Sequence, residues 1–161
     1  MTEFLDVVDE NNKVIGEATP QQVYDQRLNH RIVHVLVFND KGEIFLYQRA
    51  PTLAFCPGHW HTSAGGLVQK GEEQEHAAMR ILKETLNIDI PIIKLLDGPY
   101  DHYKMRKFCT MFRAISKGPF TLNPNLAMQG SWFSIADVKD MVKKNQLVHP
   151  ELAYVMEQLY P

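Results

Sequence analysis

Cysteine, net charge and long apolar runs are all scarce in this sequence. Only Cys56 and Cys109 occur among the 161 residues, and no CxxC pair or disulfide framework is present, which is typical of a reducing compartment. The formal net charge of −2 gives no bulk attraction to a nucleic acid polymer or an anionic membrane. The longest mainly apolar run, IVHVLVF, is far too short to cross a bilayer, and the acidic start MTEFLDVVDENN is unlike a signal peptide. We therefore expect a cytoplasmic protein with neither nucleic acid nor membrane as its partner.

The length and composition predict one domain over residues 1–161. Apolar residues make up 45% and charged residues 22%, which is ordinary for a globular protein with a full hydrophobic core. Two short strands, a helix capped at Thr19 and a hairpin turning at Gly42 come first. A helix over about residues 72–86 follows, then further strands and two helices, the first capped at Ser134. Strands and helices do not alternate regularly, so we expect an α/β fold with a mixed sheet between helices.

The stretch GGLVQKGEEQEHAAMRILKETLNI, residues 65–88, joins a glycine turn to an amphipathic helix. Acidic residues at the start of this helix suit the positive end of its dipole. Apolar residues at helical spacing predict the buried stripe, which comprises Ala77, Ala78, Ile81, Leu82 and Leu86. Outside that stripe lie Gly66, Glu72, Arg80 and Glu84, and their spacing along the sequence is that of a known family signature.

This spacing resembles the Nudix hydrolase signature, G-x(5)-E-x(7)-R-E-U-x-E-E-x-G-U, where U is aliphatic. The matching positions are Gly66, Glu72, Arg80, Leu82, Glu84 and Ile88, and the departures are Ile81, Thr85 and Asn87. From about residue 3 to residue 138 the chain is also similar to the isopentenyl diphosphate isomerase-like branch of that superfamily. The resemblance implies a Nudix fold, a mixed β-sheet in an α/β/α sandwich with the signature as a loop–helix–loop.

Within that branch, the isomerase reaction is not expected for this chain. The isomerases use a cysteine and a histidine at positions matched here by Gly65 and Leu67. Two isomerase glutamates are matched by Met105 and Lys107, and only one metal-binding histidine has a match, at His30. The resemblance therefore implies a hydrolase-like member with a degenerate signature.

Nudix hydrolases cleave a diphosphate bonded to another group, with Mg²⁺ or Mn²⁺ neutralising charge and activating water. Such hard cations prefer carboxylate oxygens, and residues at i, i+3 and i+4 share one helix face. Here those positions hold Ile81, Glu84 and Thr85, so the expected metal site is depleted. The resemblance assigns Glu84 and Arg80 to catalysis, Glu84 and Glu72 to the metal, and Gly65, Gly66 and Arg49 to the binding of a small-molecule diphosphate.

Several features have alternative interpretations. Glu73 and Glu75 suit the helix start without any metal, and Arg80 either pairs with Glu84 at i, i+4 or orients it as the family's arginine does. Asp101 is a further candidate carboxylate. Four histidines near the signature offer a rival site for zinc or another borderline metal, namely His30, His34, His59 and His61. Trp60, Tyr100 and Tyr103 are candidates to stack on a base, although core packing is expected for Trp60.

Two function hypotheses follow from these residues. The first is a Nudix hydrolase acting on a nucleoside-diphosphate-type or other organic diphosphate through a depleted metal site. The second is a non-catalytic Nudix domain that binds a phosphorylated ligand or a protein partner. They differ in how many oxygen ligands converge beside Glu84, which depends on the fold.

Overall fold

The computed structural model describes residues 3–161. The strands are β1 (Leu5–Val8), β2 (Val14–Ala18), β3 (His30–Phe38), β4 (Ile44–Arg49), β5 (Trp60–His61), β6 (Ala64–Leu67), β7 (Ile93–His102), β8 (Met105–Ile115) and β9 (Ala127–Phe133). The helices are α1 (Pro20–Gln26), α2 (Gln74–Leu86), α3 (Ile135–Lys143) and α4 (Pro150–Leu159). None of these helices is long and apolar enough to cross a membrane.

Strand β3 is the central strand of a mixed sheet. The order along the main path is β5-β4-β3-β8-β7, with β6 paired to β3 and β9 paired to β4. Strands β3 and β8 run parallel, whereas β3 with β4, β3 with β6 and β7 with β8 run antiparallel. The expected mixed sheet is therefore confirmed, and β1 with β2 forms a separate antiparallel pair.

The alternation of side chains along β3 divides the core into two layers. Val33, Val35 and Val37 pack with α2 on one face of the sheet. Ile32 and Leu36 pack with α3 and α4 on the other face. His30 and His34 have the same parity as Ile32, so they lie on the α4 face, and both are buried.

Helix α2 begins two residues later than the sequence predicts. Its N-cap is Glu73, and Glu72 lies in the preceding loop because Arg80 and the Gln69 N–H hold its carboxylate there. The helix ends at Leu86, and Asn87 takes the left-handed conformation that often follows a helix. The predicted apolar stripe is confirmed, since all five of its residues are buried.

Most local predictions elsewhere are confirmed. The Thr19 side chain accepts from the Gln22 N–H in a capping box, and Ser134 accepts from the Asp137 N–H. Gly42 has a φ of 75° in the hairpin between β3 and β4. The first strand after α2 starts at Ile93, and the chain before it contains Pro91, which has no N–H for a sheet ladder.

Candidate functional site

Strand β6 separates two environments, and its glycines allow close packing on both. A Cβ on Gly65 would lie 2.4 Å from His34 Nδ1 and 2.7 Å from His61 Cε1, on the α4 face. A Cβ on Gly66 would lie 3.1 Å from Ile81 Cδ1, on the α2 face. The strand therefore has two buried imidazoles on one side and the signature helix on the other.

Three residues that the sequence assigns to substrate binding line one cavity. Arg49, Gly65 and Gly66 meet around a space of about 390 Å³, within the range of small-molecule sites. Aromatic side chains and a carboxylate complete the wall: Tyr24, Phe55, His61, His149 and Glu151. The cavity combines a guanidinium, a carboxylate, two imidazoles and apolar rings, which is a set suited to an organic ligand that carries an anionic group.

The free edge of β6 connects this cavity to the signature helix. Among residues 3–161, β6 pairs with β3 alone. The Val68 N–H donates to Arg31 O, and hydrogen-bonded and non-hydrogen-bonded pairs alternate along an antiparallel ladder. The backbone N–H and C=O of Gly66 therefore point to β3, whereas those of Gly65 and Leu67 point away from it. Leu67 O accepts from Arg80 Nη2 at 3.0 Å, which places the Arg80 guanidinium on that edge. Backbone N–H groups on such an edge are donors for phosphate oxygens.

Arg80 holds both acidic side chains that the signature retains. Its Nε and Nη2 donate to the two oxygens of Glu72 at 2.8 and 2.9 Å, while Nη1 lies 3.4 Å from Glu84 Oε1. Burial raises the pKa of Glu72, but hydrogen bonds from Arg80 and from the Gln69 N–H outweigh it and lower the pKa overall. Hydrogen bonding to Glu72 raises the pKa of Arg80 in turn. The main partner of Arg80 is thus Glu72, and the expected i, i+4 contact with Glu84 is the weaker one.

Glu84 is the carboxylate that remains accessible at this edge. Its side chain is 53% exposed, whereas that of Glu72 is 15% exposed and occupied by Arg80. Ile81 and Thr85, at the two other carboxylate positions of the signature, are buried. Asp101 is bonded to Arg106 through both of its oxygens and belongs to β7, so it does not join Glu84. Mg²⁺ often binds through one or two carboxylates together with substrate phosphates, so this donor set fits a cation held jointly with a bound diphosphate.

A chain of buried charges lies behind the cavity on the α4 face. Lys107 Nζ donates to Glu151 Oε2 at 2.8 Å, and His34 Nε2 donates to Glu151 Oε1 at 2.7 Å. His34 Nδ1 lies 2.7 Å from Thr62 Oγ1. Lys107 is fully buried, and its Nζ lies 5.4 Å from the ring centre of Tyr24. These contacts join strands β3 and β8 to helix α4 through the single carboxylate of Glu151.

Both members of the Lys107–Glu151 pair are charged. Burial raises the pKa of Glu151, but the His34 hydrogen bond and the positive charge of Lys107 lower it well below its usual range. Burial lowers the pKa of Lys107, but Glu151 and Tyr24 outweigh it and raise the pKa overall. The cavity therefore has a fixed, oriented carboxylate in its wall.

Two imidazoles beside this carboxylate are neutral. Burial lowers the pKa of His149 to about 3, and burial together with the neighbouring His149 lowers the pKa of His61 well below its usual range. The two rings meet edge to face with their centres 4.8 Å apart. Neutral imidazoles keep one lone pair and one N–H each, so both kinds of hydrogen bond are available in the cavity.

Sequence reasoning missed Lys107, Glu151 and His149 as a functional group. Lys107 was matched only to an isomerase glutamate, and Glu151 follows Pro150 at a helix start, where an acid is ordinary. One signal was available, because a lysine at the start of the apolar, β-rich run KFCTMF is unusual for a buried strand. Trp60 packs against Phe133 on the α4 face, in the core role expected for it.

A comparison with known protein families bears directly on this site. The family model described as NUDIX domain matches residues 28–157, which include β6, α2 and all the cavity residues named above except Tyr24. The chain belongs to the Nudix family. Helix α2 and the loop before it lie within the matched residues, and the family expected from the sequence is confirmed.

Curated Nudix relatives align over most of the chain. An uncharacterised Nudix hydrolase of Yersinia pestis is 34% identical over 131 residues, covering 81% of this chain and 72% of the relative. The uncharacterised Nudix hydrolase YfcD of Escherichia coli K12 is 30% identical over 138 residues, covering 85% of this chain and 77% of the relative. The crystal structure of DR0079 from Deinococcus radiodurans superposes with a TM-score of 0.89 at 24% identity, covering 99% of this chain and all of that one. The Nudix fold is confirmed.

The rival histidine site is only partly assembled in this Nudix chain. His34, His61 and Glu151 bring ligand atoms within 4.8 Å of one another, all buried, and form a group able to hold a metal ion. His59 bonds to Pro57 O outside β5, and His30 Nε2 is buried without a partner, so neither joins that group. Because Lys107 already supplies the positive charge that Glu151 needs, the group is balanced without an ion.

The two glycines of this Nudix strand should differ sharply in their tolerance of a side chain. Gly65→Ala drives a methyl group into the packed rings of His34 and His61, so we expect a loss of about 1–3 kcal/mol in unfolding free energy. Gly66→Ala meets only the flexible end of Ile81, so we expect a change within about 0.5 kcal/mol. Urea denaturation of both variants measures the difference. Equal losses would show that the imidazoles do not require the glycine.

Proposed function

We propose that this chain hydrolyses a nucleoside-diphosphate-type or other organic diphosphate, as a single domain over residues 1–161. Nudix hydrolases act on small-molecule diphosphates. The observation that carries the proposal is the continuity of the cavity with the signature helix. Arg49, Gly65 and Gly66 line the cavity, and the free edge of β6 leads through Arg80 to Glu84. A diphosphate bound at that edge has its organic group in the cavity and its phosphates beside the accessible carboxylate.

Each residue then has a physical task. Arg49 neutralises the phosphates, and the outward N–H groups of Gly65 and Leu67 orient them. Arg80, fixed by two bonds to Glu72, positions Glu84 at the edge. Glu84 is the ligand for Mg²⁺ or Mn²⁺, which supplies charge neutralisation and an activated water when bound. Glu72 stays a predicted second metal ligand. Both of its oxygens accept hydrogen bonds from Arg80, so it binds a metal only if those bonds rearrange.

The site is depleted relative to the signature, because Ile81 and Thr85 replace two carboxylates and are buried. We place the chain with the hydrolase-like members of the isopentenyl diphosphate isomerase-like branch, since Gly65 offers no thiol. The same burial of Ile81 and Thr85 favours a second candidate function, a non-catalytic Nudix domain that binds a phosphorylated ligand or a protein partner through the same cavity.

Glu84→Gln separates these two functions. It removes the negative charge of the accessible ligand with almost no change in volume, so we expect hydrolysis to fall about 100-fold. The assay measures phosphate release from a panel of nucleoside diphosphates and organic diphosphates with magnesium, manganese or zinc. Glu75→Gln changes an exposed acid on the same helix and is the matched control, with activity expected within about twofold of the parent.

The outcomes distinguish the candidates clearly. Hydrolysis by the parent that Glu84→Gln leaves intact would place the activity elsewhere and overturn the proposed mechanism. Ligand binding by the parent without turnover of any substrate in the panel would favour the non-catalytic domain.

A further inference from the structure

The charges in the cavity wall restrict which part of a ligand meets Glu151. Arg49 is positive and the Glu151 carboxylate is negative, and both line the same space. Lys107 already neutralises Glu151, whereas Arg49 has no carboxylate partner in an ion pair among the described residues, so a diphosphate is drawn to Arg49 and the edge of β6. The organic group attached to the diphosphate is therefore the part that lies against Glu151, His61 and His149.

Glu151 still has acceptor capacity for that group. A carboxylate has about four lone-pair sites. Lys107 and His34 each take one of them, through different oxygens. Because Glu151 is held in place from behind by two buried partners, its remaining sites are oriented before any ligand binds, which lowers the cost of binding.

The two imidazoles add two further polar atoms, and that of His149 is a hydrogen-bond donor. His149 Nδ1 accepts from the Glu151 N–H at 3.0 Å, so the proton of the neutral ring is on Nε2. His61 Nδ1 lies 3.2 Å from both Thr62 O, which only accepts, and Thr62 Oγ1, which can donate, so both tautomers of His61 fit this site. Within residues 3–161 neither Nε2 has a hydrogen-bond partner, although both rings are almost completely buried at the cavity. Both atoms reach the open space of the cavity, because the described side-chain atom that is buried without a partner is His30 Nε2, so they are available to hydrogen-bond a ligand there.

We propose that the cavity selects diphosphates whose organic group carries hydroxyl or amino groups, and that Glu151, with His61 and His149, is the specificity determinant against hydrocarbon diphosphates. This inference rests on the proposed binding of an organic diphosphate. A hydroxyl or amino group of the ligand donates to Glu151, and a hydroxyl oxygen accepts from His149 Nε2. A prenyl chain of similar size desolvates all three groups and pairs with none, and a site built to hydrogen-bond its ligand rejects an analogue that lacks the polar group.

Binding of analogues that cannot be hydrolysed tests this selectivity without depending on turnover. The probes are the α,β-methylene analogues of four ribonucleoside 5′-diphosphates and of geranyl diphosphate, which approaches a nucleoside in size but has no donor. Isothermal titration calorimetry in magnesium measures each dissociation constant. We expect at least one nucleoside analogue to bind about tenfold or more tightly than the geranyl analogue, the factor that one unpaired buried group corresponds to.

A double variant tests whether the buried carboxylate causes the preference. Lys107→Met with Glu151→Leu replaces the ion pair by apolar side chains without leaving either charge unpaired. We expect the nucleoside analogue to lose about tenfold in affinity and the geranyl analogue to gain. Lys144→Met with Asp140→Leu removes an ion pair at the surface of α3 and is the matched control, with both affinities expected to be unchanged. His149→Phe, which keeps a ring but removes the donor, gives a second readout if the double variant does not fold.

Three results would overturn the inference. The geranyl analogue could bind the parent as tightly as the best nucleoside analogue. The preference could persist both in the double variant and in His149→Phe. Binding of none of the five analogues at millimolar concentration would overturn the inference and the proposed function together, whereas turnover without the preference overturns the inference alone.

Discussion

Lys107→Met on its own should lower the free energy of unfolding by about 3–5 kcal/mol. The substitution leaves the Glu151 carboxylate buried with His34 as its remaining side-chain partner. A buried charge without its counter-charge costs far more than the pair contributes, because its desolvation is no longer offset. Urea denaturation at pH 7 measures the loss, with circular dichroism confirming that the variant folds.

The double variant Lys107→Met with Glu151→Leu should recover most of that loss. With both charges removed, no carboxylate remains to be neutralised, and the two apolar side chains join the neighbouring α4-face core. A residual cost of about 1 kcal/mol is expected from the His34 Nε2–H, which loses its acceptor. The ion-pair account is wrong if the double variant is no more stable than Lys107→Met.

Stability should also fall steeply on mild acidification, by up to about 4 kcal/mol between pH 6.5 and pH 5.0. His149 has its pKa lowered to about 3, and the pKa of His61 is lowered well below its usual range. In the unfolded chain both histidines take up a proton near pH 6.5. Below that pH the unfolded state binds more protons than the folded state, so the stability present above pH 6.5 is lost as the pH falls. Each histidine contributes about 1.4 kcal/mol per pH unit.

His149→Asn isolates the contribution of one ring. His149 caps α4 by accepting from the Glu151 N–H, and asparagine is a good cap that does not titrate. We expect the slope of stability against pH between 6.5 and 5.0 to fall by about a third, because His61 and His30, whose pKa values burial also lowers, still contribute. Urea denaturation at three pH values measures the slope. His76→Gln, which removes an exposed histidine of α2, is the control and should keep the parent slope. The same slope in His149→Asn and the parent would contradict the assignment.

The signature helix is the part of the site that local sequence predicts well. Its apolar stripe, its Arg80 and its Glu84 are set by helical spacing over a few turns, and spacing does not depend on the rest of the fold. The start of α2 was predicted less well. Glu72 satisfies the rules for a first helical turn, but in the fold it lies in the loop, where Arg80 bonds it from eight residues away.

The buried charge chain could not be predicted from the sequence. Lys107 and Glu151 are 44 residues apart, and each has an ordinary local explanation as a strand residue or a helix-start acid. The parallel register of β3 with β8 sets Lys107 beside His30, and the docking of α4 then brings Glu151 to Lys107 and His34. The four histidines near the signature are equivalent in the sequence, yet within residues 3–161 only His34 and His61 join Glu151 in the group able to hold a metal ion.

The sequence by itself determined the family, the mixed sheet and the signature helix, because each depends on residue spacing within short segments or on resemblance along the chain. It also indicated Arg49, Gly65 and Gly66 as residues of one site. The tertiary structure alone decided which side chains pack against Gly65 and Gly66, because β6 has the signature helix on one side and the α4 layer on the other. Burial against that layer makes His61 and His149 neutral and keeps Glu151 charged, since protonation in a buried site depends on neighbours that only the fold brings together.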